Sequence, residues 1–215
     1  QLKLMKNLKK IKIKNILWDY GGVLTYSPFS NIKKYEKKNN IPINSIIKIN
    51  SVNSMNNAWA LLEKNLISEF KFCRMFRIEA LNQGIKDINP NEILSCLNVS
   101  LNTEMVKLLK LVSKKYSCSC LTNNFSNINA VNKKQFNSLN VYFNNIFESS
   151  KLRMRKPEKE IYMYVLNKLS AKPQEMIFID DLGINLKPAR ELGIITHKLV
   201  NFTETQKFLS DLLEL

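Results

Sequence analysis

Glycine is scarce: the 215 residues hold five, beside a single histidine. A chain this poor in glycine keeps it for places where backbone turns tightly or approaches a ligand closely. Four of the five (Gly21, Gly22, Gly183 and Gly193) fall in two short stretches near opposite ends of the chain. The one histidine, His197, lies in a strand-like run, Ile194–Val200, and reads as structural, which leaves histidine-based catalysis a single candidate. Four cysteines (Cys73, Cys96, Cys118, Cys120) lack zinc-ligand spacing. Cys118 and Cys120 sit two apart in an expected strand, face one side and do not bridge easily. Buried free thiols in a reducing compartment follow. No apolar run is long enough to span a membrane, and the basic N-terminus lacks the apolar centre of a secretory signal. The expected location is cytoplasmic, or an organelle if a targeting segment has been removed. Acid is also short, with 18 Asp and Glu against 33 Lys and Arg, a formal charge of +15. The lysines come as scattered pairs (Lys9-Lys10, Lys33-Lys34, Lys37-Lys38, Lys114-Lys115, Lys133-Lys134) with no nucleic-acid-reading motif beside them. The charge is therefore expected to draw in small anionic substrates, with no specific nucleic-acid partner.

The few acids are informatively placed. Met176–Ile179 is a short apolar run that meets two adjacent carboxylates, Asp180 and Asp181. Gly183 follows, then a helical segment with Pro188 near its start and Gly193 past its end. The same grammar occurs at Ile11–Trp18, which runs into Asp19, Tyr20, Gly21 and Gly22. Carboxylates at the tip of a buried strand are costly unless a cation meets them.

Between about Ser27 and Leu101 no comparable strand signal occurs. Asn31–Asn39, Ile43–Asn50, Ala58–Glu63, Ser68–Asn82 and Pro90–Leu97 read as helices, with Asn89 before Pro90 as a start and Gly84 as a stop. From Asn102 a capped helix carries Met105, Leu108, Leu109 and Val112 at helical spacing. Tyr116–Leu121 ends in Thr122-Asn123-Asn124, and a helix over roughly Asn127–Asn137 follows. Next come an apolar patch, Val141–Phe147, a basic stretch, Lys151–Lys156, and a helix opened by Pro157 with Ile161, Tyr164, Val165 and Leu169 on one face. Ile194–Val200 and a last helix from Thr203, which has capping-box spacing to Gln206, complete the chain. Strands alternating with helices imply a parallel sheet in an α/β fold, with ligands outside the carboxyl ends of the strands.

Asp19, Thr122, Lys156 and the Asp180–Asp181 pair can thus converge on one crevice. Together they make a phosphoryl-transfer set. Asp19 can attack phosphorus. Asp19, an acid of the pair and the carbonyl near Gly21 can hold Mg²⁺. Thr122 Oγ, the amide of Asn123 and the Lys156 ammonium can hold the non-bridging oxygens.

The runs Ile16–Leu24, Leu121–Asn124, Lys156-Pro157 and Ile177–Asp181 resemble, in order, the four motifs of the haloacid dehalogenase superfamily. The longer runs Trp18–Phe29 and Asp180–Gly193 are similar in particular to the phosphatase domain at the N-terminus of soluble epoxide hydrolases and its stand-alone relatives. The resemblance implies a Rossmann-like core (residues 1–26 and 102–215), a helical cap inserted at 27–101, Mg²⁺ and hydrolysis of a small phosphorylated metabolite. It also implies Asp181 as the metal ligand, with Asp180 as its orienting neighbour. Gly21 departs from the pattern, because most family phosphatases carry there the aspartate that serves as general acid and base, a service worth about 10²–10⁴ in rate. Slow hydrolysis, proton transfer through water or a cap residue, and a weakened protein kept for binding or regulation remain open. Glu158-Lys159 after Lys156-Pro157 is a second departure. A hydrolytic dehalogenase would also begin from an aspartate but would need no acidic metal site. Arg74 and Arg77 of the insertion are read as solvated helix charges rather than substrate contacts.

Overall fold

The computed structural model describes residues 12–125 and 130–213. Five strands form one parallel sheet: β1 (Asn15–Trp18), β2 (Ser117–Thr122), β3 (Asn145–Glu148), β4 (Met176–Asp180) and β5 (Ile195–Lys198). Their spatial order is β3-β2-β1-β4-β5. The chain leaves β1 toward β2 and β3, then returns to the other side of β1 for β4 and β5. That reversal opens a crevice beyond the carboxyl ends of β1 and β4, where open α/β sheets bind ligands. Trp18 pairs with Cys120 on one side and Ile179 on the other, so Asp19, Thr122 and Asp180 leave the sheet at nearly one level.

Side chains alternate across this sheet as the pleat demands. Ile16, Trp18, Ile177 and Ile179 pack on one face with Met105, Leu108, Leu109 and Val112 of a helix, Thr103–Val112, and Leu209 of the last helix, Phe202–Leu212. Leu17, Met176 and Phe178 pack on the other face with the helices Lys159–Lys168 and Gly183–Glu191. Both faces are covered, which is why the strands read as near-continuous apolar runs.

A third apolar cluster, including Ile32, Tyr35, Phe72 and Phe76, draws its buried members from a helical insertion between β1 and β2, with Phe125 from beyond β2 packed against it. Its helices are α1 (Phe29–Lys38), α2 (Ser45–Ser51), α3 (Ala58–Glu63), α4 (Glu69–Asn82) and α5 (Pro90–Ser95). Asn57, Ser68 and Asn89 cap α3, α4 and α5 by accepting from backbone N–H groups. Buried Glu36 accepts from the N–H groups of Asn44 and Ile46, at 2.8 and 2.9 Å, and ties α1 to α2. The insertion enters and leaves through one neck: Thr25 bridges Leu101, and Asn102 N–H donates to Leu24 O at 2.8 Å.

Several expectations are corrected. The first strand begins at Asn15, and Ile11 and the Lys9-Lys10 pair lie outside the described residues. Asn127 does too, and that helix is described from Ala130. Pro157 does not open the helix after it. Residues Arg155–Glu158 form a turn closed by Glu158 N–H on Arg155 O at 2.8 Å, and the helix starts at Lys159. The expected face of that helix, Ile161, Tyr164, Val165 and Leu169, does pack on the sheet, and Tyr162 joins it as a fully buried tyrosine. Lys151 and Leu152, at the start of the basic stretch, belong to a short helix, Ser149–Leu152. Pro188 sits inside its helix instead of near the start. The last helix is capped by Asn201, two residues before Thr203, through a 2.9 Å bond from Glu204 N–H. His197 is structural: its ring stacks on Phe208, and its Nε2 lies 2.9 Å from Thr205 Oγ1, whose own proton goes to Asn201 O.

Candidate active site

Lys156 is the centre of the cluster. Its ammonium is 1% exposed and donates to Asp19 Oδ1 at 2.7 Å and to Asp180 Oδ2 at 2.8 Å. Burial pushes the ammonium toward neutrality; Asp180 and Asp19 more than offset this and hold it charged. Asn123 clamps the lysine's backbone from both sides, accepting from Lys156 N–H and donating to Lys156 O, each at 2.9 Å. Thr122, at the end of β2, is 3% exposed.

The two acids at the end of β4 have different surroundings. Asp180 is fully buried, and both its oxygens are engaged by Lys156, Leu182 N–H and the Asn185 amide. Asp181 is part-exposed and its carboxylate stands over the first loop. A Cβ added at Gly22, whose φ is +79°, would lie 2.3 Å from Asp181 Oδ2, which explains the glycine there. Carboxylate oxygens of Asp19, Asp180 and Asp181 lie within 4.8 Å of one another. Burial, opposed by Lys156 and reinforced by Asp180, raises the Asp19 carboxyl well above the usual range. Burial and Asp180 push Asp181 up to about 6. Three acids around one ammonium leave excess negative charge, and a set of hard oxygen donors with that excess fits a hard divalent cation.

The cluster forms the floor of a cavity of about 530 Å³ under the insertion. Asp19, Gly21, Thr122, Asn123, Lys156 and Asp181 line the floor, while Phe29, Ile32, Trp59, Leu94, Leu97, Phe125 and Phe136 supply apolar wall. Asp180 lies just beneath. All the residues expected from sequence therefore meet. Arg74 and Arg77 do not line the cavity and are exposed on α4. Two residues escaped sequence reasoning. Arg155, neighbour of Lys156, lines the cavity, and Glu63 at the end of α3 receives it at 2.6 Å. Arg155 had a weak signal in the basic stretch; Glu63 had none. All four thiols are free, and burial pushes Cys118 up to about 12.

Residues 25–198 match the profile of the haloacid dehalogenase-like hydrolases. The chain belongs to that family. The matched span starts after Asp19. A HAD-family enzyme of Bacteroides thetaiotaomicron, solved with magnesium and inorganic phosphate, is 29% identical, with a TM-score of 0.59 over 86% of this chain and 93% of that one. Flavin mononucleotide hydrolase 1 of Arabidopsis thaliana, a chloroplast protein, is 31% identical across 72% of this chain and 61% of its own length. Rat bifunctional epoxide hydrolase 2 is 39% identical over 101 residues, 45% of this chain. This haloacid dehalogenase-like chain spans only 18% of the rat protein's length. No described helix is long and apolar enough to cross a membrane.

Proposed function

We propose that this chain is a Mg²⁺-dependent phosphatase of small organic phosphate monoesters, working through an aspartyl-phosphate on Asp19, with residues 27–101 as a cap over the site. The observation that carries this reading is the Lys156 ammonium bridging Asp19 and Asp180 at 2.7 and 2.8 Å on a cavity floor shared with Asp181. Relatives support it, above all the Bacteroides enzyme solved with magnesium and phosphate.

Asp19 is the nucleophile. Its carboxylate attacks phosphorus, the P–O bond to the alcohol breaks, and water later cleaves the acyl phosphate and regenerates Asp19. Lys156, the Thr122 hydroxyl and the Asn123 amide donate to the non-bridging oxygens, where charge must be held. Because the Asn123 side chain already grips Lys156, its backbone N–H is the donor assigned here. Asp180 orients Lys156 and the turn after β4. Asp19, Asp181 and the Gly21 carbonyl would hold Mg²⁺, with Asp180 just behind them. When bound, the ion supplies charge neutralisation between nucleophile and phosphate. The test is phosphate release from an aryl phosphate with Mg²⁺, wild type against Asp19→Asn. Metal-dependent turnover that the variant lacks is expected; equal rates would overturn the reading.

A second reading is a catalytically weakened binding or regulatory protein. Gly21 favours it, because no side chain at that position serves the leaving group. It predicts phosphate binding without release of phosphate from any ester.

A further inference from the structure

The insertion reaches the cavity floor through charge. Glu63 Oε2 accepts from Arg155 Nε at 2.6 Å and from Asn123 Nδ2 at 3.1 Å, while Oε1 accepts from Trp59 Nε1 at 3.1 Å. The next residue, Lys64, donates to Glu158 Oε1 at 2.8 Å. Glu158 Oε2 in turn accepts from Arg155 N–H at 3.1 Å, and Arg155 Nη1 donates to Ser54 O at 3.0 Å. Ser149 Oγ donates to Glu63 O at 2.8 Å. The four charged side chains are 12–13% exposed, so the two pairs are largely shielded from solvent and salt.

The polarity is crossed. On the insertion an acid precedes a base, Glu63-Lys64; on the sheet side a base precedes an acid, Arg155 and Glu158. Crossed pairs of this kind admit one docking register, since any shift sets like charges together. The sheet-side partners flank Lys156. Arg155 is its neighbour in sequence, and Asn123 holds its backbone N–H and O.

We infer that Glu63 is a positioning residue that couples docking of the insertion to placement of the Lys156 ammonium, so that the site is assembled only when the insertion is seated. This rests on the phosphatase reading for its kinetic arm only. Glu63 makes no hydrogen bond or ion pair to Asp19, the Lys156 ammonium or Asp181; from the cavity wall it acts through Asn123 and Arg155.

The test uses the full chain and two readouts: hydrogen exchange over residues 154–158, and aryl phosphate turnover with Mg²⁺. Glu63→Gln keeps the shape and removes the charge that Arg155 meets. It is expected to speed exchange at 154–158 and lower kcat by about 5–20-fold, the scale of exchanging a charged hydrogen bond for a neutral one, with KM changed less than about twofold. Glu36→Gln is the control, because Glu36 binds only within the insertion; it should leave exchange at 154–158 and kcat near wild type. Lys64→Glu should reproduce the Glu63→Gln effect, and adding Glu158→Lys should restore most of it. Unchanged exchange in Glu63→Gln, an equal effect from Glu36→Gln, or no rescue by the swap would overturn the inference. If wild type releases no phosphate from any ester, the phosphatase reading fails, and the exchange arm still decides the coupling.

Discussion

Asp181 holds its proton to about 6 because burial and Asp180 both oppose its charge. A carboxyl raised in the folded state favours folding below its unfolded value near 4. That contribution is lost as pH rises through about 6. In chelator, Asp181→Asn should therefore stabilise the protein by about 1–2 kcal/mol at pH 7, discounting for its partial exposure, and by little at pH 4. Urea unfolding at the two pH values checks this, and a destabilised variant at pH 7 would contradict it. Gly21 offers the converse experiment. A Cβ there would meet nothing within 4 Å, so Gly21→Asp should fold normally. If the missing acid–base group limits the rate, kcat on an alkyl phosphate rises about 10²-fold; an unchanged kcat would mean that another group moves the proton. The residues of this floor were legible because their signal is local: an acid, a hydroxyl or a lysine directly after an apolar run. Glu63 was not legible, because its partner Arg155 lies 92 positions away and an ion pair across that separation leaves no mark on either neighbourhood.

At the level of elements, strand ends and caps carried different amounts of information. Asn57–Ala58, Ser68–Glu69, Asn89–Pro90 and Asn102–Thr103 each have a capping side chain directly before the helix, and these starts were readable within a residue. The last helix was misread because Asn201–Glu204 and Thr203–Gln206 both satisfy the spacing, and only packing decides between them. Pro157 was misread because a proline suits a turn as well as a first helical turn. The turn it occupies presents Lys156 inward. Removing that ammonium leaves Asp19 and Asp180 buried without a counter-charge, so Lys156→Met should cost about 3–5 kcal/mol at pH 7. The loss should shrink as pH falls and Asp19, whose carboxyl burial already raises, takes up its proton, which thermal unfolding across pH would reveal. The walls beside this turn are mostly apolar, with Trp59, Phe29 and Phe136 prominent. An aryl phosphate should then exceed a sugar phosphate in kcat/KM by about 10-fold, since a ring fits the apolar wall while hydroxyls are served only where Asn50, Ser51, Ser54 and Asn57 line it. Similar values for the two esters would speak against it.

For the molecule as a whole, the net charge of +15 is spread along the sequence instead of gathered in one block. Such a field attracts small anions over a Debye length of about 8–10 Å. The KM for a phosphate ester should rise severalfold between low and physiological salt while kcat holds steady; a salt-independent KM would assign the charge no part in capture. The sheet topology was implied by alternation of strands and helices. Its order was not, because nothing local to β4 says that it returns to the far side of β1.

The neck at Thr25 and Leu101 has a consequence for how this architecture can be rebuilt. Because departure and return occur side by side, some seventy residues hang from two adjacent backbone points. Neither apolar layer flanking the strands draws a buried member from them. Splicing residue 26 to residue 100 through a short glycine turn should yield a smaller protein that keeps its strand register, visible as retained amide protection, so foreign modules can be grafted at that junction as at a socket.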